Sequence, residues 1–335
     1  MNLFIQVPCL NEEETLPLVL KSIPKTIVGI DRVDILIIDD GSTDKTVEVA
    51  RGHGIEHVVR HTRTMGLARS FRDGVEYALA HGADIVVNTD GDNQYPQDRI
   101  TDLVQPILKG EADIVIGDRQ THTIRHFSFF KKRMQRLGSR VVNRAAGTRL
   151  PDAASGFRAY SKYALFRLNI VTTFSYCMET IIQAGNKRIA ITSIPIETNP
   201  NTRESRLFSN VFEHMFKSGQ AILRSYIMYR PWTVFAWLTA LFGVLGVAPF
   251  VRFVILRLIG DEGNHLQSLV FGGAMIVAAL LALALGILSD LLKTNRILHE
   301  DHLERIKVLQ HGPAYPAAHV YDERNLPERG RKTTR

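Results

Sequence analysis

The sequence predicts an α/β domain followed by a membrane-anchoring helical hairpin, and two patterns support this prediction. Between residues 3 and 118, short apolar segments alternate with segments whose apolar residues recur at helical spacing. Such alternation is typical of a mostly parallel sheet covered by helices on both faces. Two uncharged segments, 233–251 and 268–289, follow much later. Segments of ~20 apolar residues are long enough to cross a bilayer.

The individual elements follow from the apolar periodicity. We expect strands at 3–7, 33–38, 58–59, 85–87, 113–116 and 189–194. We expect helices from about 16 and 45, and at 66–80, 100–108, 162–168 and 176–184. The segment 151–160 precedes the helix at 162, and no helix or strand is predicted there.

Composition limits the function classes. The net charge of +7 and the pI near 9.4 suggest an anionic partner: nucleic acid, a phosphate-bearing substrate or an anionic membrane surface. No nucleic-acid motif is visible, so we expect no nucleic-acid partner. Cys9 and Cys177 are too few and too far apart to predict a disulfide framework. The first residues lack the pattern of a cleaved signal peptide, and the catalytic parts are expected in the cytosol.

The most informative motif follows the strand at 85–87. Asp90, Asp92 and Gln94 occupy alternate positions directly after it. In extended chain such positions share one side, and the carboxyl ends of strands in open α/β sheets are where ligands bind. A site with a small number of oxygen ligands from the protein suits Mg²⁺ or Mn²⁺ that is also bound by phosphate oxygens. The alternative is a strand that leads into an acidic turn.

Other strand ends also carry polar residues. They are Asn11-Glu12-Glu13, Asp39-Asp40 and Asp118-Arg119. Helix capping would explain each of them separately, but together they indicate one polar edge of the sheet. The first strand is not followed by G-x-G-x-x-G, and the chain has no G-x-x-x-x-G-K-[ST], which argues against dinucleotide and P-loop folds.

Residues 119–150 are strongly basic. This segment is either a solvated helix face or a docking site for a phosphate monoester, since arginine donates two hydrogen bonds to phosphate oxygens. Asp152 follows it, and is either an acceptor-positioning or proton-accepting carboxylate or a turn residue beside Pro151.

The C-terminal third divides into further segments. Residues 207–231 have a helical apolar stripe and are interpreted as an interfacial helix, with a core helix as the alternative. Membrane helices are expected within 232–292, at about 233–255 and 268–290, and 293–335 form a partly disordered cytosolic tail. Two buried core helices are the alternative to a membrane hairpin. Lysines and arginines flank the pair, so both termini and the catalytic domain, 1–206, are predicted to be cytosolic at the inner membrane.

Taken together, these motifs resemble family 2 glycosyltransferases of the GT-A fold, and among them the polyprenyl-phosphate glycosyltransferases. The resemblance rests on residues 7–13, 39–44, 90–94 and 152–158. It implies inverting sugar transfer from a UDP- or GDP-sugar to polyprenyl phosphate. Asp-Gly-Asp-Asn-Gln-Tyr departs from the more usual Asp-Ala-Asp-Leu-Gln-His/Asn. Sequence alone leaves the base, the sugar and the formation of homo-oligomers open.

The resemblance also implies roles for individual residues. The donor pocket would be lined by Pro8, Leu10, Glu12, Asp39, Asp40 and Asp90. The metal would be held by Asp90, Asp92 and Gln94. The acceptor phosphate would be received by Arg119, Arg133, Ser139 and Arg158. Asp92 and Asp152 are the candidate catalytic residues, with Asp152 expected to position the acceptor rather than to remove a proton.

Two other functions compete with lipid glycosylation. A membrane-anchored enzyme of this fold could extend a lipid-linked glycan or polysaccharide, although the Q-x-x-R-W signature of polymer synthases is missing. A membrane-tethered sugar-nucleotide sensor is the non-enzymatic alternative, and the complete Asp90, Asp92 and Gln94 set argues against it.

Overall fold

The computed structural model describes residues 1–120, 129–171, 176–200, 219–220, 227–260, 263 and 265–312, with side chains from residue 138 onward in the helix that begins at Phe129. Seven strands form one sheet. They are β1 (Asn2–Cys9), β2 (Arg32–Asp39), β3 (His57–Arg60), β4 (Ile85–Asn88), β5 (Ile114–Asp118), β6 (Arg158–Ser161) and β7 (Ile191–Pro195).

Helices connect and cover these strands. The catalytic domain contains α1 (Leu16–Ser22), α2 (Thr46–Gly52), α3 (Leu67–Ala80), α4 (Ile100–Leu108), α5 (Phe129–Ala146), α6 (Lys162–Arg167) and α7 (Tyr176–Asn186). A short 3₁₀ helix, Gln97–Arg99, precedes α4. Two long helices follow, α8 (Pro231–Ile259) and α9 (Leu266–His311).

The strand order is β3-β2-β1-β4-β6-β5-β7. Neighbouring strands are parallel except around β6, which is antiparallel to both β4 and β5. The mostly parallel α/β architecture is therefore confirmed. Because β1 and β4 are adjacent and parallel, their carboxyl ends lie at the same edge of the sheet, beside that of β2.

Strand β6 was not predicted. The sequence analysis predicted no helix or strand at 151–160, whereas Arg158–Ser161 forms a buried strand between β4 and β5. Its four residues are too few to show a period, and an arginine and a tyrosine on one face do not resemble an apolar strand.

The sheet has a separate apolar core on each face. Phe4 packs with Phe71 and Tyr160 on one face, whereas Leu3 and Val87 belong to the cluster on the other. Alternate residues of one strand point to opposite faces, so β1 contributes to both cores. Cys9 and Cys177 are both buried and free.

Helices α8 and α9 form an antiparallel pair long and apolar enough to cross a membrane. They approach closely where Gly246 meets Gly272, because a Cβ at Gly246 would lie 2.9 Å from the backbone nitrogen of Ile276 and one at Gly272 would lie 2.8 Å from the carbonyl oxygen of Gly246. The predicted interfacial helix at 207–231 and the tail beyond 312 lie largely outside the described residues.

The end of α9 returns to the catalytic domain. With 46 residues, this helix is ~69 Å long at 1.5 Å per residue, about twice the ~30 Å hydrocarbon core. Lys307 Nζ donates to the carbonyl oxygens of Leu165 and Leu168, at 3.2 and 2.8 Å. Glu300 forms ion pairs with Lys187 at 2.8 Å and with Arg296 at 2.6 Å. The catalytic domain and the end of the hairpin are therefore in direct contact.

Candidate active site

The predicted metal ligands lie on one loop at the carboxyl edge of the sheet. β4 ends at Asn88, and the loop from Asp90 to Gln94 follows after Thr89. The backbone nitrogen of Gln94 donates to Asp92 Oδ1 at 3.1 Å, and Asn93 adopts φ 59°. Asparagine tolerates this left-handed conformation better than most residues. The sequence thus folds locally into a tight turn that carries Asp90, Asp92 and Gln94.

The electrostatics of this loop suit a cation. Asp90 is half-buried; burial raises the pKa of Asp90 to about 7, the neighbouring Asp92 carboxylate adds to the rise, and Arg119 opposes it. A cation would remove the repulsion between the two carboxylates.

Within the described part of the chain, no three Asp, Glu, His or Cys side chains converge closely enough to hold a metal by themselves. Two carboxylates and the Gln94 amide oxygen would therefore need further oxygens from a ligand, which is the usual coordination of Mg²⁺ with phosphate groups. The residues present fit such a shared site.

The loops after β1 and β2 are hydrogen-bonded to each other beside the loop from Asp90 to Gln94, which we call the metal loop. The backbone nitrogen of Asn11 donates to Ser42 Oγ at 2.9 Å, and that of Glu12 donates to Thr46 Oγ1 at 2.8 Å. Thr15 Oγ1 lies 2.7 Å from Glu12 Oε2 and 2.8 Å from the carbonyl oxygen of Gly91. Glu12 is thereby held close to the metal loop. The predicted donor-pocket residues Pro8 and Leu10 lie on the same β1 end, half-buried and exposed respectively.

Asp39, which ends β2, and Asp40, which follows it, are already bound by protein groups. Asp39 is fully buried, accepts a hydrogen bond from the backbone nitrogen of Ser42 at 3.0 Å, and lies 3.1 Å from Arg60 Nε. Asp40 accepts from the backbone nitrogens of Met65 and Gly66, at 2.8 and 2.9 Å. In this arrangement both carboxylates organise the edge of the site, and donor contact by either of them stays a prediction.

His61 was missed by the sequence analysis. Its Nδ1 lies 2.7 Å from Asp40 Oδ1, and its Nε2 lies 3.2 Å from Asp73 Oδ2. The imidazole thus links Asp40, at the site edge, to helix α3. A histidine just after the short strand β3 was the available signal, but no spacing rule connects it to Asp40.

Arg119 and Asp152 form a bidentate ion pair on the other side of the metal loop. Arg119 Nε donates to Asp152 Oδ2 at 2.7 Å, and Nη2 donates to Oδ1 at 3.1 Å. Burial by itself would raise the pKa of Asp152, but the Arg119 guanidinium and its hydrogen bonds outweigh burial and lower that pKa. Asp152 is therefore an ionised, paired carboxylate, which favours a positioning role over that of a general base.

Arg158 lies inside the protein. It is fully buried, and its guanidinium donates to the carbonyl oxygens of Ser155, Ala153 and Cys177 and to Thr180 Oγ1. These four bonds lie within the protein, so Arg158 supports the 152–158 loop from behind, and its contact with an acceptor phosphate stays a prediction.

The remaining predicted phosphate ligands lie on α5. Ser139 is buried, and its hydroxyl accepts a hydrogen bond from the backbone nitrogen of Ala153 at 3.3 Å. The side chain of Arg133 lies outside the described residues. Ser139 thus contacts the loop of Asp152, while contact of either residue with phosphate stays a prediction.

A buried polar chain joins the two sides of the site. Gln6 Nε2 donates to Asn88 Oδ1 at 3.0 Å, and Asn88 Nδ2 donates to the carbonyl oxygen of Gly156 at 3.0 Å. The backbone nitrogen of Gly156 donates to the Tyr95 hydroxyl at 2.9 Å. Asn88 and Tyr95 therefore fix the loop of Asp152 against the metal loop, and neither was predicted to have this role.

Comparison with known proteins agrees with this geometry. A model described as glycosyl transferase family 2 matches residues 4–168. The chain is 26% identical over 227 residues to polyprenol monophosphomannose synthase of Mycolicibacterium smegmatis, covering 64% of this chain and 84% of the relative. It is 32% identical over 203 residues to an uncharacterized glycosyltransferase of Mycobacterium bovis, covering 59% of this chain and 85% of the relative.

A solved structure shares the fold. Glucosyl-3-phosphoglycerate synthase from Mycobacterium tuberculosis, in complex with Mn²⁺, uridine diphosphate and glucosyl-3-phosphoglycerate, superposes with a TM-score of 0.53 at 21% identity, covering 68% of this chain and 78% of that one. The α/β domain is thus of the GT-A type. The sheet, the polar edge and the relatives lead to one conclusion: the chain is a glycosyltransferase that belongs to glycosyl transferase family 2.

Proposed function

We propose that this protein transfers a sugar from a nucleoside-diphosphate sugar to polyprenyl phosphate at the cytosolic face of a membrane. The observation that carries the proposal is the position of the site: a polar edge with Asp90, Asp92 and Gln94 belongs to a domain that contacts the end of a membrane-type hairpin through Lys307. Relatives named polyprenol monophosphomannose synthase and undecaprenyl-phosphate mannosyltransferase support this class of acceptor.

The hairpin supports a two-crossing topology. The catalytic domain precedes α8, and the end of α9 contacts that same domain through Glu300 and Lys307. This contact supports a topology in which both ends of the hairpin lie on one side of the membrane. Lys293, Arg296 and Arg305 follow the second apolar segment, and basic residues favour the cytosolic side.

The chemistry assigns separate tasks to the two sides of the site. Asp90, Asp92 and Gln94 would hold Mg²⁺ or Mn²⁺, which would neutralise the charge that develops on the departing nucleoside diphosphate. Pro8, Leu10 and Glu12 would contact the nucleoside. The Arg119–Asp152 pair would orient the acceptor, with Arg119 nearest to the phosphate.

The acceptor supplies its own nucleophile. A phosphate monoester has a second pKa near ~6 and is largely dianionic at neutral pH. Its oxygen can attack the anomeric carbon without a strong base, which agrees with an Asp152 that is ionised and paired. In-line attack would invert the anomeric configuration and release the nucleoside diphosphate.

The test is direct synthesis. Purified protein is incubated with Mn²⁺ or Mg²⁺, undecaprenyl phosphate and a panel of UDP- and GDP-sugars, and glycolipid is measured by mass spectrometry. We expect a lipid-phosphate sugar from one donor. Asp92→Ala should lower the rate by about a thousandfold, whereas Asp98→Ala, which removes a nearby exposed carboxylate, should retain it.

Other outcomes would redirect or reject the proposal. Donor binding or hydrolysis without glycolipid would favour extension of a lipid-linked glycan. The proposal would be wrong if no nucleotide sugar bound at all.

A further inference from the structure

The backbone conformation of the metal loop depends on contacts with residues outside the loop. Asn93 lies in the left-handed region with φ 59°, a conformation that a residue other than glycine keeps only where its surroundings stabilise it. The side chains of Asp92 and Gln94, on either side of Asn93, take their directions from this turn. Whatever binds the backbone of residues 93–95 therefore sets the spacing of two proposed metal ligands.

One residue provides three hydrogen bonds to this backbone. The Asn199 main-chain nitrogen donates to the carbonyl oxygen of Gln94 at 2.9 Å. Asn199 Nδ2 donates to the carbonyl oxygens of Asn93 and Tyr95, at 3.0 and 3.3 Å. Three consecutive carbonyls thus point towards Asn199.

The side-chain type suits this arrangement. An asparagine amide has two N–H donors, whereas an ionised aspartate is an acceptor only and a serine has one donor. Aspartate at position 199 would place its oxygens against the carbonyl oxygens of Asn93 and Tyr95. Glutamine would carry the amide one methylene too far.

Asn199 is itself firmly placed. Ile196 is buried, and its backbone nitrogen donates to the carbonyl oxygen of Asp118, the last residue of β5, at 2.8 Å. Pro200 follows Asn199 and restricts it to extended conformations. The segment from β7 therefore crosses the end of β5 and brings Asn199 to the metal loop in a fixed conformation.

We propose that Asn199 is a positioning residue of the metal site, which acts through the carbonyls of residues 93–95 to hold Asp92 and Gln94 at coordinating spacing. This inference rests on the proposed function, because it requires the metal assigned to that loop. Asn199 touches neither donor nor acceptor in this account; its effect is transmitted through the backbone.

The test measures Mn²⁺ binding rather than turnover alone. Free Mn²⁺ is followed by its electron paramagnetic resonance signal during titration of the full chain with UDP or with GDP present. Loss of outer-shell partners commonly weakens metal affinity by about 10–100-fold. We expect Asn199→Asp to raise the Mn²⁺ dissociation constant by about tenfold and Asn199→Ser, which keeps one donor, by about threefold.

A matched control separates positioning from stability. Asn186 Nδ2 donates to the carbonyl oxygen of Ile182 at 2.8 Å at the end of α7, so Asn186→Ala removes a similar bond elsewhere and should leave Mn²⁺ affinity unchanged. The activity lost by Asn199→Asp should return at high Mn²⁺, which a folding defect would not allow. If Asn199→Asp does not fold, the Asn199→Ser titration decides by itself.

Two results would overturn the inference, and they differ. If the unaltered protein transfers sugar and binds Mn²⁺, but both Asn199 variants bind Mn²⁺ equally well, Asn199 has no positioning role while the proposed function stands. If the unaltered protein binds no Mn²⁺ with either nucleotide, the metal assignment fails and the inference fails with it.

Discussion

The two halves of the sheet use charged residues differently. In the parallel half, β3-β2-β1-β4, acidic residues follow the strands, and on the metal loop the carboxylates of Asp90 and Asp92 repel each other. In the mixed half, β6-β5-β7, charges are paired or internally bonded, as in Arg119–Asp152 and in Arg158. Under the proposed function, the first half would bind the cation and the second half would support the acceptor side.

The largest expected effect concerns Arg158, which supports the 152–158 loop. Arg158→Met would remove the guanidinium donors to the carbonyls of Ser155 and Ala153 and one of the donors to the carbonyl of Cys177. Because each buried unsatisfied polar group costs ~1–3 kcal/mol, we expect the free energy of unfolding to fall by about 4 kcal/mol. Thermal unfolding in detergent measures this. Arg144→Met removes an exposed arginine on α5 and should change stability by under about 0.5 kcal/mol.

The same variant tests whether Arg158 is a structural support or a phosphate ligand. If Arg158→Met kept its stability and lost only transfer to polyprenyl phosphate, Arg158 would be a phosphate ligand, and the mixed half would not be the internally bonded support described above.

An intermediate effect is expected at the ion pair. Asp152→Asn keeps the shape but removes the charge that faces Arg119. We expect transfer to fall by about tenfold, equivalent to ~1.4 kcal/mol, with turnover still measurable and the dependence of rate on pH unchanged. Steady-state rates against acceptor concentration at several pH values check this. Complete loss of turnover with intact donor binding would instead make Asp152 an obligatory base.

The smallest effect concerns pH and the carboxylates of the metal loop. Burial raises the pKa of Asp90 to about 7, above the ~4 of an unfolded carboxyl. Between these values the folded protein binds a proton that the unfolded chain has released. The free energy of unfolding in chelator should therefore rise as the pH falls from about 7 towards 4.

Asp90→Asn should remove this dependence. At pH 8 the variant should be more stable than the unaltered protein by about 1 kcal/mol, because it buries no carboxylate beside Asp92, and at pH 4 the difference should vanish. Denaturant unfolding at both pH values measures it, with Asp98→Asn as the exposed control. Parallel stability curves for Asp90→Asn and the unaltered protein would show that Asp90 titrates normally.

Local order in the sequence predicts the metal loop but not the contacts between distant residues. Asp90, Asp92 and Gln94 follow directly after an apolar strand, so their nearness depends on local order alone. The Arg119–Asp152 pair joins residues 33 positions apart, and Asn199 bonds a backbone 106 positions away at Asn93. Neither contact could be predicted from the sequence, because both contacts depend on the positions of β6 and β7 in the sheet.

The burial of Arg158 was not predicted from the sequence. In a sequence, Arg158 looks like any other basic residue near a predicted phosphate site, and nothing local shows that its strand is inserted between β4 and β5. Asn199 before Pro200 was a visible turn signal, but its partner carbonyls were not.

The most direct measurement offers two phosphate-bearing acceptors in one reaction. The protein, Mn²⁺ and the active donor are mixed with equimolar undecaprenyl phosphate and phosphoglyceric acid, the latter being a ligand of the structurally similar synthase from Mycobacterium tuberculosis. We predict that sugar enters the lipid as a phosphodiester with inverted anomeric configuration, while phosphoglyceric acid stays unmodified. Glycosylation of phosphoglyceric acid with no lipid product would contradict it.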